Sequence, residues 1–192
     1  MRDVNLSLIT KLGWKLLNNA DTMWVGQLRG KYLHSCSFLS PQTLSTSSWL
    51  WKGILQSIPI ISKGACFKIH DSSSLPIWSS PWIPTLPHFT PLPFPSLPQP
   101  QTNLIVSDLF SFDPNSQKPY WNTPLLEHLF DANSVRAIQK INISSSTTNS
   151  YLWTPSTNGL FSTKTAYKIF PILDPPLLLL FSLLLYGNLC GN

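Results

Sequence analysis

Residues 63–84 read KGACFKIHDSSSLPIWSSPWIP, and the predicted fold depends on how this stretch is interpreted. The segments at 65–70 and 75–78 are short, apolar and joined by the turn residues DSSS, which predicts a β-hairpin. Trp78 and Trp82 stand four residues apart among serines and prolines, in a sequence typical of neither a helix nor a strand. The two rings could stack on nucleic-acid bases, pin a tight turn to a small core, or belong to part of a larger protein.

The charge around these tryptophans favours packing over stacking. Proteins that stack bases on aromatic rings combine the rings with a basic groove. No lysine or arginine occurs between residues 69 and 117, so we expect Trp78 and Trp82 to pack against a core. The same role is predicted for the tryptophans on apolar helix faces: Trp14, Trp24 and Trp49.

Three helices are predicted before this stretch. Apolar residues recur at helical spacing over residues 4–18. A second helix is predicted from Asp21, and Ser47 or Ser48 can cap a third. We expect the third helix to end before Pro59, because proline removes a backbone donor and disrupts a helix interior.

A proline-rich stretch follows the tryptophans. Eight of the twenty residues from Pro81 to Pro100 are proline, a density that excludes a helix or a central strand. An extended spacer is the preferred interpretation over a ligand for a proline-binding domain. This stretch is therefore the predicted domain boundary.

The second half of the chain repeats the mixture of helix and strand signals. An amphipathic helix entered at Pro124 is predicted, and a second one is expected to be capped by Asp131 or Asn133. Residues 151–163 predict a second hairpin around an Asn-Gly turn, followed by a helix from near Thr163.

The predicted fold class is α+β, with several helices and two small β-hairpins separated by a proline-rich irregular linker. The predicted division is a helical region plus hairpin at 1–80, a linker at 81–103, a second folded region at 104–170 and a degenerate leucine-rich tail at 171–192. The run at 177–186 is about half the roughly 20 residues of a spanning helix. No membrane association is predicted.

The bulk composition narrows the classes of function only slightly. A formal net charge of +5 and a pI near 9.2 favour a polyanionic partner. The three cysteines, Cys36, Cys66 and Cys190, imply no disulfide framework. Because the first residues also lack an apolar signal region, we expect an intracellular location, without a choice between nucleus and cytoplasm.

Searches for catalytic motifs are negative. The sequence contains no glycine-rich phosphate loop, no G-x-S-x-G and no H-E-x-x-H, and its eight acidic residues include no adjacent aspartates. We therefore predict no enzymatic activity, no cofactor and no small-molecule substrate. A hydrolase built on Cys66 and a histidine lacks a residue to orient its base.

Four residues have the chemistry of a zinc site. His34 and Cys36 form one short pair, and Cys66 and His70 form another. The first spacing is too tight for a usual ligand pair, and the second is common by chance. Buried cysteines and ordinary histidines are the preferred interpretation, so no metal site is predicted.

Seven motifs along the chain occur together in one known family. They are NLSLITKLGWKLL (5–17), Trp24 with Lys31 and Tyr32, SSWLWKGIL (47–55), KGACFKIHDSSSLPIWSSPWIP (63–84), VSDLF (106–110), WNTPLLEHLF (121–130) and YLWTPSTNGLFSTKTAYKIF (151–170). In this order, the chain resembles the region downstream of the polymerase in plant LINE-type (non-LTR) retrotransposon reverse transcriptases, from about residue 2 to residue 170. The resemblance implies a polymerase domain before this region. It also implies a zinc-binding reverse transcriptase domain after it, often followed by ribonuclease H.

The resemblance implies a fragment without autonomous catalysis. The paired aspartates of the family's polymerase motif are absent from this sequence. The family's zinc ligands would come after Phe170, and Cys190, the one cysteine in that stretch, cannot form a zinc site alone. The two tryptophans resemble the family's W-x-x-P-W-type turn. The alternative is a co-opted module that binds nucleic acid or another protein.

The candidate nucleic-acid-binding residues are basic residues of the first two predicted helices: Lys11, Lys15, Arg29 and Lys31. In the parent enzyme, this region would help to hold template and product, so RNA or DNA is the expected partner. Contacts from these side chains to phosphates would make binding strongly dependent on salt. The alternative interpretation is an ordinary solvated face.

Overall fold

A computed structural model describes residues 2–34, 36–41, 47–70, 72–96, 103–144 and 150–169. The α+β class is confirmed. Seven helices lie in these ranges: α1 (Arg2–Leu17), α2 (Met23–Tyr32), α3 (Trp49–Leu55), α4 (Ile58–Gly64), α5 (Thr123–Leu129), α6 (Ala132–Gln139) and α7 (Thr163–Tyr167). Four strands form two small sheets: β1 (Ala65–Phe67) pairs with β4 (Tyr151–Trp153), and β2 (Phe110–Phe112) pairs with β3 (Pro119–Trp121).

The chain forms two compact units whose limits differ from the predicted ones. Unit 1 contains residues 1–65 and the chain from Trp153 onward, and unit 2 contains residues 66–152. The limits of these units lie within β1 and within β4, whereas the predicted boundary lies in the proline-rich stretch. The predicted tail at 171–192 lies outside the described residues.

Helix α1 is the centre of unit 1, where it contacts α2, α3, α4 and α7. One part of the core is aromatic: the ring of Trp14 lies 5.2 Å edge-on from Trp153 and 5.4 Å from Phe161. Ala166 of α7 is buried in the same cluster. A second aromatic pair stacks at 4.5 Å, between Tyr32 of α2 and Trp51 of α3.

The core of unit 2 combines residues of α5, α6 and β2 with residues from loops. Trp82 is fully buried, and its Nε1–H donates to the carbonyl of Ile77 at 2.9 Å. Trp78 packs on Phe130 with ring centroids 5.1 Å apart. The predicted packing role of both tryptophans is confirmed. The core role predicted for Trp49 of unit 1 is wrong, because its side chain is 82% exposed.

Neither predicted hairpin has the predicted partners. Residues 75–78 do not pair with β1; Pro76, which lacks a backbone donor, makes only an isolated bridge to Ile105. At the end of β4, the amide of Trp153 donates to the carbonyl of Gly159 at 2.8 Å, which closes a loop over residues 153–159 without a second strand. The observed hairpin is β2–β3, which is antiparallel and pairs Phe110 with Trp121.

The described part of the proline-rich stretch, 81–96, belongs to unit 2 and is not a free spacer. The amides of Trp82 and Ile83 both donate to the carbonyl of Phe89, at 2.8 and 2.9 Å. The amide of Phe94 donates to the carbonyl of Leu129 at 2.9 Å. Several amides between the prolines thus have backbone partners, and the buried side chains at 82 and 83 hold the segment against the core.

Candidate nucleic-acid interface

The two units differ in charge. Residues 1–65 and 153–192 contain nine lysines and arginines and three aspartates, a net charge of +6. Residues 66–152 contain four basic and five acidic residues, a net charge of −1. The basic character of the chain, and all four candidate residues, therefore belong to unit 1.

Lys11 and Lys15 lie on one face of α1. Residues four apart on a helix are neighbours, with about 5–6 Å between their Cβ atoms. Lys11 is exposed and Lys15 is half-buried, while Leu8, which is 54% exposed, lies one turn before Lys11 on the same side. No acidic residue occurs between positions 4 and 20, so no carboxylate from this part of α1 neutralises the two ammonium groups.

Arg29 has a structural role in unit 1. Its Nη1 donates to the carbonyl of Leu16 at 2.9 Å, in the last turn of α1. Carbonyls at a helix C-terminus have no partner in the helix and carry partial negative charge, so a guanidinium is stabilising there. Arg29 therefore contributes first to the packing of α2 against the end of α1.

Lys31 lies against an aromatic ring. Its Nζ is 5.2 Å from the ring centroid of Tyr32, a cation–π distance. The hydroxyl of Tyr32 donates to Ser48 Oγ and accepts from the Ser48 amide, both at 3.3 Å, and these bonds lower the pKa of Tyr32. Lys31 also interacts with the Tyr32 hydroxyl, and its side chain is exposed to solvent.

A shallow cleft of about 290 Å³ lies at the surface where α1 packs against α7. It is lined by Ser7, Leu8, Thr163, Lys164 and Tyr167. Tyr167 is 47% exposed. The sequence KTAYK at 164–168 places lysines on both sides of this tyrosine. An aromatic residue between lysines is a pattern typical of single-strand binding, but it did not enter the candidate residues predicted from the sequence.

The four residues considered for zinc do not form a site. Across the part of the chain that the structure describes, no group of three or more His, Cys, Asp or Glu side chains could hold a metal ion. Cys66 is fully buried, and burial raises the pKa of its thiol to about 12. The thiol is therefore protonated at neutral pH and is a poor nucleophile.

Unit 2 contains a cavity of about 310 Å³ beside Phe94, Glu127, Arg136 and Gln139. One acidic and one basic side chain face it, so it has no net charge that would attract a polyanion.

Within the described ranges, no helix combines the length and apolar character needed to cross a membrane, and the run at 177–186 lies outside those ranges.

Comparisons of the chain with protein-family models, with curated proteins and with solved structures each give no match.

Proposed function

We propose that the chain is a non-catalytic segment of a LINE-type reverse transcriptase that binds RNA or DNA through unit 1. The observation that carries this proposal is the separation of charge, +6 in unit 1 against −1 in unit 2. Phosphate contacts dominate the affinity of most nucleic-acid-binding proteins, and a locally basic surface is the feature they require.

Lys11 and Lys15 are the primary phosphate contacts in this proposal. They share a helix face with no carboxylate nearby in sequence, so their ammonium groups are not neutralised by neighbours on α1. Lys31 is exposed and adds a third cation. Arg29 contributes mainly by holding α2 at the end of α1, through its bond to Leu16.

The test is a binding titration of the full chain with a fluorescently labelled single-stranded RNA. We expect Lys11→Glu/Lys15→Glu to weaken binding about tenfold or more, because two contacts become repulsive. The matched control is Lys118→Glu/Lys140→Glu, which makes the same charge change at two exposed positions of unit 2. No binding by the unaltered chain at micromolar concentration, or equal losses in the two variants, contradicts the proposal.

A protein-interaction module is the second candidate, and one observation favours it. Met23 and Trp49, both in unit 1, are 83% and 82% exposed, unusual values for large apolar side chains. This candidate predicts self-association or partner binding that Trp49→Ser abolishes while RNA affinity stays unchanged. Sedimentation velocity over a range of protein concentrations tests the self-association form.

A further inference from the structure

We propose that the cleft between α1 and α7 is a base-stacking subsite for single-stranded nucleic acid, in which the ring of Tyr167 receives a base. The inference rests on the proposed function of unit 1 and names one place where that function acts. Its ligand is an unpaired nucleotide of RNA or DNA, held by stacking and by phosphate contacts to nearby lysines.

The walls of the cleft suit a flat aromatic base. Tyr167 on α7 and Leu8 on α1 are both about half exposed, and they contribute an aromatic and an aliphatic surface to the same cleft. Ser7, Thr163 and Lys164 add polar groups around these surfaces. A partly open ring beside a lysine is the arrangement on which single-strand binders stack bases.

Helix α7 is held firmly enough to position the ring. With five residues, it would not be stable alone. It is anchored by Ala166, which is fully buried, and by Thr165, whose Oγ1 accepts from Trp153 Nε1 at 2.8 Å. The backbone that carries Tyr167 is therefore fixed to the unit 1 core before any ligand arrives, which lowers the entropic cost of binding.

The charges around the cleft favour a polyanion. Lys164 lines it, Lys168 directly follows Tyr167, and Lys11 lies one turn beyond Leu8 on α1. No acidic residue occurs at positions 4–20 or 153–169, the two segments that form the cleft. Trp78 and Trp82 provide the contrast, because both are packed in unit 2 and no lysine or arginine lies between residues 69 and 117.

The preference for single strands follows from what each nucleic acid exposes. A duplex keeps its bases stacked inside and offers mainly phosphates to a protein surface, whereas an unpaired base has an open π-face. The ring of Tyr167 can therefore add affinity for a single strand but adds little for a duplex. The lysines contribute to both.

The experiment compares Tyr167→Ala with the full chain in titrations against a single-stranded RNA and an RNA duplex at one salt concentration. Tyr167→Ala should weaken single-strand binding by about 5- to 100-fold and leave duplex binding within about twofold. Tyr167→Phe retains the ring and should bind like the unaltered chain. Tyr120→Ala is the matched control, since Tyr120 is 52% exposed and lies in unit 2.

A second measurement does not depend on the variant folding. Irradiation of the full chain with a 5-bromouridine-labelled single strand should give a crosslink that mass spectrometry locates at Tyr167. Single-strand binding that is unaffected by Tyr167→Ala, with the crosslink elsewhere, overturns the subsite and leaves the proposed function intact. A full chain that binds neither RNA overturns the proposed function and the subsite together. A third outcome is that the chain self-associates, that Tyr167→Ala abolishes this self-association, and that no crosslink forms at Tyr167. This outcome assigns the cleft to a second copy of the chain and also overturns the subsite.

Discussion

The two units use their aromatic residues and charges differently. In unit 1, α1 is packed against four other helices. Lys11 and Lys15 share one face of α1, and the ring of Tyr167 on α7 is about half exposed. In unit 2, Trp78 and Trp82 are packed against the core of a mostly irregular chain. Both units therefore bury aromatic rings, but the rings lie between helices in unit 1 and are held mainly by an irregular chain in unit 2.

The sharpest test of this comparison is Trp82→Ala in unit 2. Removing a fully buried ring that also hydrogen-bonds to Ile77 should lower the free energy of unfolding by about 3–5 kcal/mol. The control is Trp49→Ala in unit 1, where the exposed ring should contribute within about 0.5 kcal/mol. Urea unfolding followed by circular dichroism measures both, and equal midpoints for the two variants would show that the rings do not differ in role.

Gly64→Ala tests how tightly the unit 1 core is packed. A Cβ at this position would lie 2.6 and 2.8 Å from carbons of the Trp153 ring, so overpacking should cost about 1–3 kcal/mol. Gly26 of α2 has nothing within 4 Å of an added Cβ, and Gly26→Ala should instead stabilise the helix by about 0.5–1 kcal/mol. Thermal unfolding should therefore shift in opposite directions for the two variants. A shift in the same direction contradicts the packing at Gly64.

Arg29→Ala separates support of the fold from binding within unit 1. Loss of the bond from Nη1 to the Leu16 carbonyl should lower stability by about 1 kcal/mol. Arg29→Lys keeps the charge but not the planar donor group, so it should lose most of the same stability while RNA affinity stays close to that of the unaltered chain. A variant that loses affinity without losing stability would place Arg29 on the binding surface.

Asp131 caps α6 in unit 2 by accepting from the amides of Ser134 and Asn133 at 3.0 and 3.3 Å. Asp131→Ala should cost about 1 kcal/mol, whereas asparagine is an equally good cap residue. Burial disfavours the charged carboxylate, but the hydrogen bonds from Ser134 and Asn133 outweigh it, so the pKa of Asp131 is lowered.

A lowered pKa fixes the direction of the pH effect. The stabilisation from the ionised Asp131 is present above the ordinary aspartate pKa of about 3.9 and is lost as the pH falls through the lower folded value. Unfolding titrations of the unaltered chain and Asp131→Asn should therefore diverge below about pH 4. Parallel curves down to acid pH would contradict the capping interaction.

Local signals predicted the helices well. Ser48 caps α3 by accepting from the Trp51 amide at 3.3 Å, Asp131 caps α6, and α7 begins at Thr163, as the sequence indicated. Helix α4 was missed because Pro59 was interpreted as a stop. Proline is compatible with the first turn of a helix, which is where Pro59 lies.

Long-range pairing could not be predicted from local patterns. Strand β1 pairs with β4, far along the chain, whereas turn residues such as DSSS indicate only nearby partners. The proline-rich stretch was interpreted from its composition as a spacer. Composition does not indicate which side chains are buried, so it did not show that Trp82 and Ile83 hold this stretch against the core. Similarly, the lysine face of α1 follows from helical spacing, but the cleft requires α1 and α7, from opposite ends of the described chain, to be brought together.

The most direct test of the central claim is the salt dependence of single-stranded RNA binding. The logarithm of the binding constant, plotted against the logarithm of salt concentration, should fall with a slope of about −0.7 per phosphate contact. We predict that Lys11→Glu/Lys15→Glu reduces the magnitude of that slope by about 1.4, and that Lys118→Glu/Lys140→Glu leaves it unchanged. The same slope for all three proteins, or a reduction only in the unit 2 variant, would contradict the assignment of binding to unit 1.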